Sequence, residues 1–183
     1  MLRKRLPRRL DPDGLYAYAI RLLAGRSLSV GEVRRKLAAK AANSTAVDGV
    51  IARLQELGWL DDQRFAESYA AARRDNDALG PFRVLQDLRK RQVDSGLAET
   101  AVREAFLEVD EEAQARAFLE RKYRGRDLNR FLAEEKNAAQ AYRRLRTAGF
   151  SVRTTVGLLR AYTPRASELE SLEEAAQSGW PEA

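Results

Sequence analysis

The side chains best placed to do chemistry in this sequence are arginines and lysines, and that chemistry is the gripping of anions. They recur in three basic strings, VRRKLAAK, VLQDLRKR and AYRRLRTA, which align on Leu37, Leu88 and Leu145. The first string carries Arg34, Arg35, Lys36 and Lys40. The second carries Arg89, Lys90 and Arg91, with Arg83 just ahead of it, and the third carries Arg143, Arg144 and Arg146. A guanidinium is a planar fork that holds a carboxylate or a phosphate through paired hydrogen bonds. On a helix with Leu37 at the centre of its apolar stripe, Arg35 lies about 160° away and faces solvent, while Lys36 and Lys40 lie on a flank. Arg143 takes the Arg35 slot of the third string and Arg144 the Lys36 slot. In the second string those slots hold Gln86 and Asp87, with Arg83 and Lys90 outward and Arg89 and Arg91 flanking. Each string therefore offers cations, through different positions.

Other chemistries find little support. The 183 residues include no cysteine and no histidine, so disulfides, ordinary zinc sites, thiol nucleophiles and imidazole bases are excluded. A chain without cysteine fits a reducing compartment, and a cytoplasmic location is expected. Asp61-Asp62 is the one conspicuous carboxylate pair, and helix capping accounts for it better than acid–base or metal chemistry. No glycine-rich phosphate loop occurs, so no cofactor and no enzymatic activity are expected. No apolar run approaches the roughly 20 residues that span a bilayer, so a membrane partner is not expected. Trp59 is expected to pack between the first two repeats. Phe65, Tyr69, Phe82, Tyr142 and Phe150 sit at core or cap spacing.

The strings belong to larger repeats. Leu37 and Leu88 stand 51 residues apart, as do Ile51 and Val102 in the segments that follow; the third copy is offset by 57 and 54 residues. A period of this size marks stacked helical units, none of which buries its apolar stripe alone. The boundaries divide the chain into a basic arm (1–11), three three-helix repeats (12–61, 62–108 and 109–163) and an acidic tail (164–183). The arm holds Arg3, Lys4, Arg5, Arg8 and Arg9; the tail sets five glutamates against one arginine. The overall net charge of +6 points to a polyanionic partner.

Local signals place the helices. Gly25 reads as a stop beyond the first helix. Ser29-Val30-Gly31-Glu32 has capping-box spacing, Thr45 to Asp48 reads as a further cap, and Gly58 ends a stripe of Val47, Val50, Ile51, Leu54 and Leu57. Asp61 caps the next helix, Asp75-Asn76-Asp77 breaks it, and Pro81 opens another. In the third repeat the apolar face is read on Ala113, Ala117 and Phe118, then on Ala138, Ala141, Tyr142 and Leu145, and Ser151 caps a last helix. Residues 124–135 show no clear pattern.

Four strings in order, YAYAIRLLAGRSLSVGEVRRKL, LGWLDDQRFAESY, GPFRVLQDLRKRQV and LRTAGFSVRTTVGLL, resemble the RecX family of RecA regulators across residues 15–162. The resemblance implies an all-α fold of three tandem three-helix repeats in an elongated, curved array. It also implies a regulator that binds RecA filaments and inhibits strand exchange, ATPase and coprotease activity in DNA repair and the SOS response. A monomer is expected, with single- or double-stranded DNA contacted non-specifically. The alternative is a sequence-tolerant DNA-binding helical module acting without RecA. Two departures stand out. Lys40-Ala41 and Arg91-Gln92 replace the Lys-Gly or Arg-Gly pair common in the family, and Gly31 in a first helical turn costs about 0.5–1 kcal/mol relative to alanine.

Overall fold

The computed structural model describes residues 9–163, so the acidic tail and most of the basic arm lie outside the described residues. The fold is all-helical. Among the described residues ten helices run in order: α1 (Pro12–Gly25), α2 (Val30–Ala38), α3 (Ser44–Glu56), α4 (Asp62–Asp77), α5 (Pro81–Lys90), α6 (Ser95–Ala105), α7 (Glu111–Lys122), α8 (Leu128–Leu132), α9 (Glu135–Thr147) and α10 (Val152–Arg160). Among the described residues the only extended pairing is an isolated bridge between Leu10 and Ala41. No described helix is long and apolar enough to cross a membrane.

The chain forms two compact units, and the division falls inside α4, α5 and α6. One unit holds the chain to Tyr69 with Asp87–Ala101; the other holds Ala70–Gln86 and the chain from Val102 on. In the first unit α1, α2 and α3 pack on one another around Leu15, Val33, Leu37, Ile51 and Leu54, all essentially inaccessible. In the second, α7, α9 and α10 enclose Leu119, Leu145, Phe150, Leu158 and Leu159, with α8 closing on α9 through Leu132. The aligned leucines 37, 88 and 145 are each fully buried, as the strings required.

Capping explains most helix starts. Asp11 accepts from the Gly14 amide, with Pro12 at the first helical position. Ser29 and Glu32 complete the capping box of α2. Asp61, Asp94, Asp110 and Ser151 accept amides at the starts of α4, α6, α7 and α10.

Several local expectations are corrected. Gly25 is the last residue of α1, and the helix ends because Arg26 is extended. The cap of α3 is Asn43, accepting from Ala46, rather than Thr45. Leu57 lies beyond the buried stripe and is exposed. Helix α4 runs through Asp75-Asn76-Asp77 and breaks at Ala78, whose φ is +50°. The face of α7 was misassigned: Ala115 and Leu119 are buried, while Ala113 and Ala117 face solvent. Alanine stands on both the buried and the exposed side of this helix, which blurs its periodicity. The patternless stretch contains α8, capped by Asp127.

A recurrent contact closes the turn after each second helix. The third residue after each aligned leucine turns its carbonyl to a donor from earlier in the chain. Lys40 accepts from the Leu10 amide at 2.8 Å, Arg91 from the Ser29 hydroxyl, and Ala148 from the Gly80 amide at 2.8 Å. The approach is close. A Cβ on Gly31 would stand 2.4 Å from that of Gln92, and one on Gly80 would stand 2.4 Å from the Gly149 carbonyl oxygen. Glycine in the first turn of α2 is therefore a packing requirement. Gln92 takes the left-handed conformation itself, at φ +62°, where Gly149 has φ +91°. In the first copy the Ala41 carbonyl instead receives Arg9 at 2.6 Å.

Candidate anion-binding interface

The eleven cations singled out in the sequence separate by what holds them. In the first unit, helix α2 projects Arg34 onto the Asp48 carboxylate of α3. Arg35, two residues before the buried Leu37, is exposed with no ion partner among the described residues. Lys36 is half-buried and likewise unpaired. The Lys40 ammonium lies 5.2 Å from the centre of the Tyr18 ring, a cation–π placement that keeps its outer side in water.

The last turn of α5 shows the same division. Arg89 is bound to Glu99 at 2.8 Å, and Lys90 is exposed with no ion partner among the described residues. Arg91 turns inward. It meets Glu32 at 3.2 Å and stacks 4.8 Å from the Tyr69 ring centre. Glu32, only 5% exposed, also takes Arg26 at 3.0 Å and the Ser29 amide. Burial pushes the Glu32 carboxyl up, but Arg26, the Ser29 amide and the charge of Arg91 outweigh it and hold the pKa below the ordinary value. Neighbouring Asp62 is raised, chiefly by burial, although the Val30 amide donates to it at 2.8 Å. Arg91 is thus a structural arginine, anchoring the turn after α5 to the start of α2.

In the second unit, Arg146 donates to the Phe150 carbonyl and closes the turn after α9. Arg144 sits 5.2 Å over the Tyr123 ring. Arg143 is exposed, and its guanidinium has no ion partner among the described residues. Arg83, half-buried, lines a cleft of about 480 Å³ with Arg143 and Arg144. Lys122 of α7 lines it too, a cation the sequence did not single out. The signal was present, because Lys122 follows Phe118 by one helical turn, but the misread face of α7 concealed it.

Two aromatic residues depart from expectation. Trp59 is 57% exposed and Phe82 58% exposed, so neither is a core residue. Trp59 follows Gly58, whose φ of +69° turns the chain outward, and Arg64 fixes that turn by donating to the Gly58 carbonyl at 3.1 Å. Among the described residues no cluster of carboxylates has metal-binding geometry. Asp61 and Asp62 both serve helix starts, as expected for the pair.

Comparison with known proteins follows the same helices. Residues 16–54 match the family model for the RecX first three-helix domain, and residues 61–102 that for the RecX second three-helix domain. A protein named regulatory protein RecX from Trichlorobacter lovleyi is 38% identical over 117 residues, spanning 64% of this chain and 76% of the relative. Another of that name from Stenotrophomonas maltophilia strain R551-3 is 34% identical over 151 residues, spanning 82% and 88%. The crystal structure of RecX from Lactobacillus salivarius superposes with a TM-score of 0.61 at 20% identity, over 83% of this chain and 96% of that one, a likeness of fold.

Proposed function

The chain belongs to the RecX family of regulatory proteins, and from that premise we propose that it is a non-enzymatic regulator of RecA nucleoprotein filaments. Its three tandem repeats, over 12–61, 62–108 and 109–163, would each supply part of the contact. The observation that carries this reading is the recurrence of unengaged cations on successive second helices: Arg35 and Lys36 on α2, Lys90 on α5 and Arg143 on α9. Lys40 and Arg144, each resting on a tyrosine ring, and Arg83, on the lining of the second unit's cleft, would add to the contact. Arg34, Arg89, Arg91 and Arg146 have intramolecular partners and serve the fold first.

Repeated weak contacts suit a repeated partner. Once one repeat engages a filament subunit or a phosphate, the next contact is intramolecular and benefits from a high effective concentration. A monomer could then slow strand exchange, ATP hydrolysis and coprotease activity together. DNA would be contacted through phosphates and without sequence preference, since the outward positions differ from repeat to repeat. A cytoplasmic location follows from that partner. Purified protein added below one molecule per filament subunit is expected to slow RecA-dependent ATP hydrolysis on single-stranded DNA. No effect at stoichiometric excess would refute the proposal.

One observation favours the alternative of a DNA-binding module that acts without RecA: Trp59 is exposed, and an exposed indole can stack on an unpaired base. Nanomolar binding to bare DNA at physiological salt, lost in Trp59→Ala and without effect on RecA, would establish it.

A further inference from the structure

The cleft lined by Arg83 of α5, Lys122 of α7 and Arg143 and Arg144 of α9 has a floor as well as walls. Leu79 and Phe118 form that floor, both partly buried against the core of the second unit. No aspartate or glutamate lines the cleft. We propose that it receives an acidic protein segment that inserts one large apolar side chain between flanking carboxylates. This rests on the reading of the chain as a filament regulator, and deepens it by assigning this part of the cationic surface to protein.

The apolar floor decides between protein and nucleic acid. A phosphodiester backbone has cations to meet here but nothing to place on Leu79. A stacked base needs an open ring face, and Phe118 offers only part of its ring. It is half-buried and packs edge-on against Phe150, with ring centres 5.9 Å apart at 62°. A peptide satisfies both surfaces at once, since a leucine or phenylalanine covers the floor and its acidic neighbours reach the rim. The rim is already disposed for carboxylates. Arg144 is steadied over Tyr123, and neither the Arg143 guanidinium nor the Lys122 ammonium has an ion partner among the described residues. Gln140, also on the lining, offers a carboxamide to a peptide main chain. At about 480 Å³ the cleft falls within the size range of specific ligand sites.

The test is a phage-displayed library of random 12-residue peptides, panned on the full chain and counter-selected on a Lys122→Glu/Arg143→Glu variant. Both substituted residues are exposed, and circular dichroism should show an unchanged fold. The enriched sequences are expected to carry several acidic residues around one large apolar residue. Synthetic copies should bind the double variant at least tenfold more weakly, and Arg153→Glu/Arg160→Glu, on another face of the unit, no differently from wild type. Replacing the apolar anchor by serine should also cost tenfold or more. The proposal is overturned if no peptide distinguishes the two proteins, if the enriched peptides lack an apolar residue, or if a 20-nucleotide thymidine strand displaces the bound peptide from the cleft. Peptide binding without RecA inhibition would remove the filament reading and leave the cleft standing. Inhibition without peptide selection would do the reverse.

Discussion

After α5 the chain turns through Arg91-Gln92, and after α9 it turns through Ala148-Gly149. Both turns offer a carbonyl to the start of an earlier helix, and both place the next residue at positive φ. They differ in where the glycine sits and in what charge does. In the second unit Gly149 makes the bend, Arg146 closes it by donating to the Phe150 carbonyl, and Arg143 keeps no ion partner among the described residues. In the first unit the bend is made by Gln92, space for it comes from Gly31 opposite, and Arg91 is drawn into Glu32 and Tyr69. One geometry is thus reached by two distributions of glycine, and the ionic version removes a cation from the surface. Recurrence of charge in sequence does not by itself mean recurrence of available charge.

The largest test of this comparison is Gly149→Ala. A Cβ there would meet the Arg83 amide nitrogen at 2.2 Å and would stand on a residue at φ +91°. Steric conflict and backbone strain together should cost about 3 kcal/mol, read as a lowered urea midpoint with an unchanged slope. Gly31→Ala meets Gln92 but carries no strain in φ, so about 2 kcal/mol is expected. Equal costs would mean that the two turns are not built on different terms.

Next comes Glu32→Gln, expected to lower stability at neutral pH by about 1–2 kcal/mol, since a partly buried charged pairing is lost while a hydrogen-bonding group remains. Because the native pKa of Glu32 is lowered, its contribution is complete above the ordinary value of 4.5 and is lost as pH falls through the native value. The gap between wild type and variant in thermal unfolding should therefore be constant above that value and close below it. Asp62 acts in the opposite sense, since its carboxyl is raised and protonation relieves its burial. A gap that widens on acidification would contradict the assignment.

The smallest expected effect is a gain. Gln92→Gly removes left-handed strain of about 1–2 kcal/mol. It also adds freedom to the unfolded chain worth about 0.4–1 kcal/mol, so the net stabilisation expected is roughly 0–1.6 kcal/mol, measurable by calorimetry. A loss would show that the Gln92 side chain contributes more than its backbone costs.

What the sequence makes legible is local. The aligned leucines, the capping box and the caps at Asp61 and Ser151 are set within a few residues of sequence, and each stands as expected. The face of α7 was illegible because alanine stands on both its buried and its exposed side, and α8 because five residues hold too little periodicity. At the candidate interface, the types of the cations were evident but their engagement was not. Arg91 and Arg34 depend on carboxylates 59 and 14 residues away, whose approach is fixed by packing. Lys122 joins the cleft from a helix outside the basic strings. Trp59 was expected in the core because leucines flank it, yet the positive φ of Gly58 turns it out.

The most direct test of the central claim compares two charge-reversed proteins in RecA-dependent ATP hydrolysis on single-stranded DNA. One carries Arg35→Glu, Lys90→Glu and Arg143→Glu, three second-helix cations without an ion partner among the described residues. The other reverses Arg153, Arg160 and Arg21, an equal change in net charge away from the second-helix set. The first should need at least tenfold more protein for half-inhibition, with a melting temperature within a few degrees of wild type, and the second should inhibit as wild type does. Equal inhibition by the two would contradict the account.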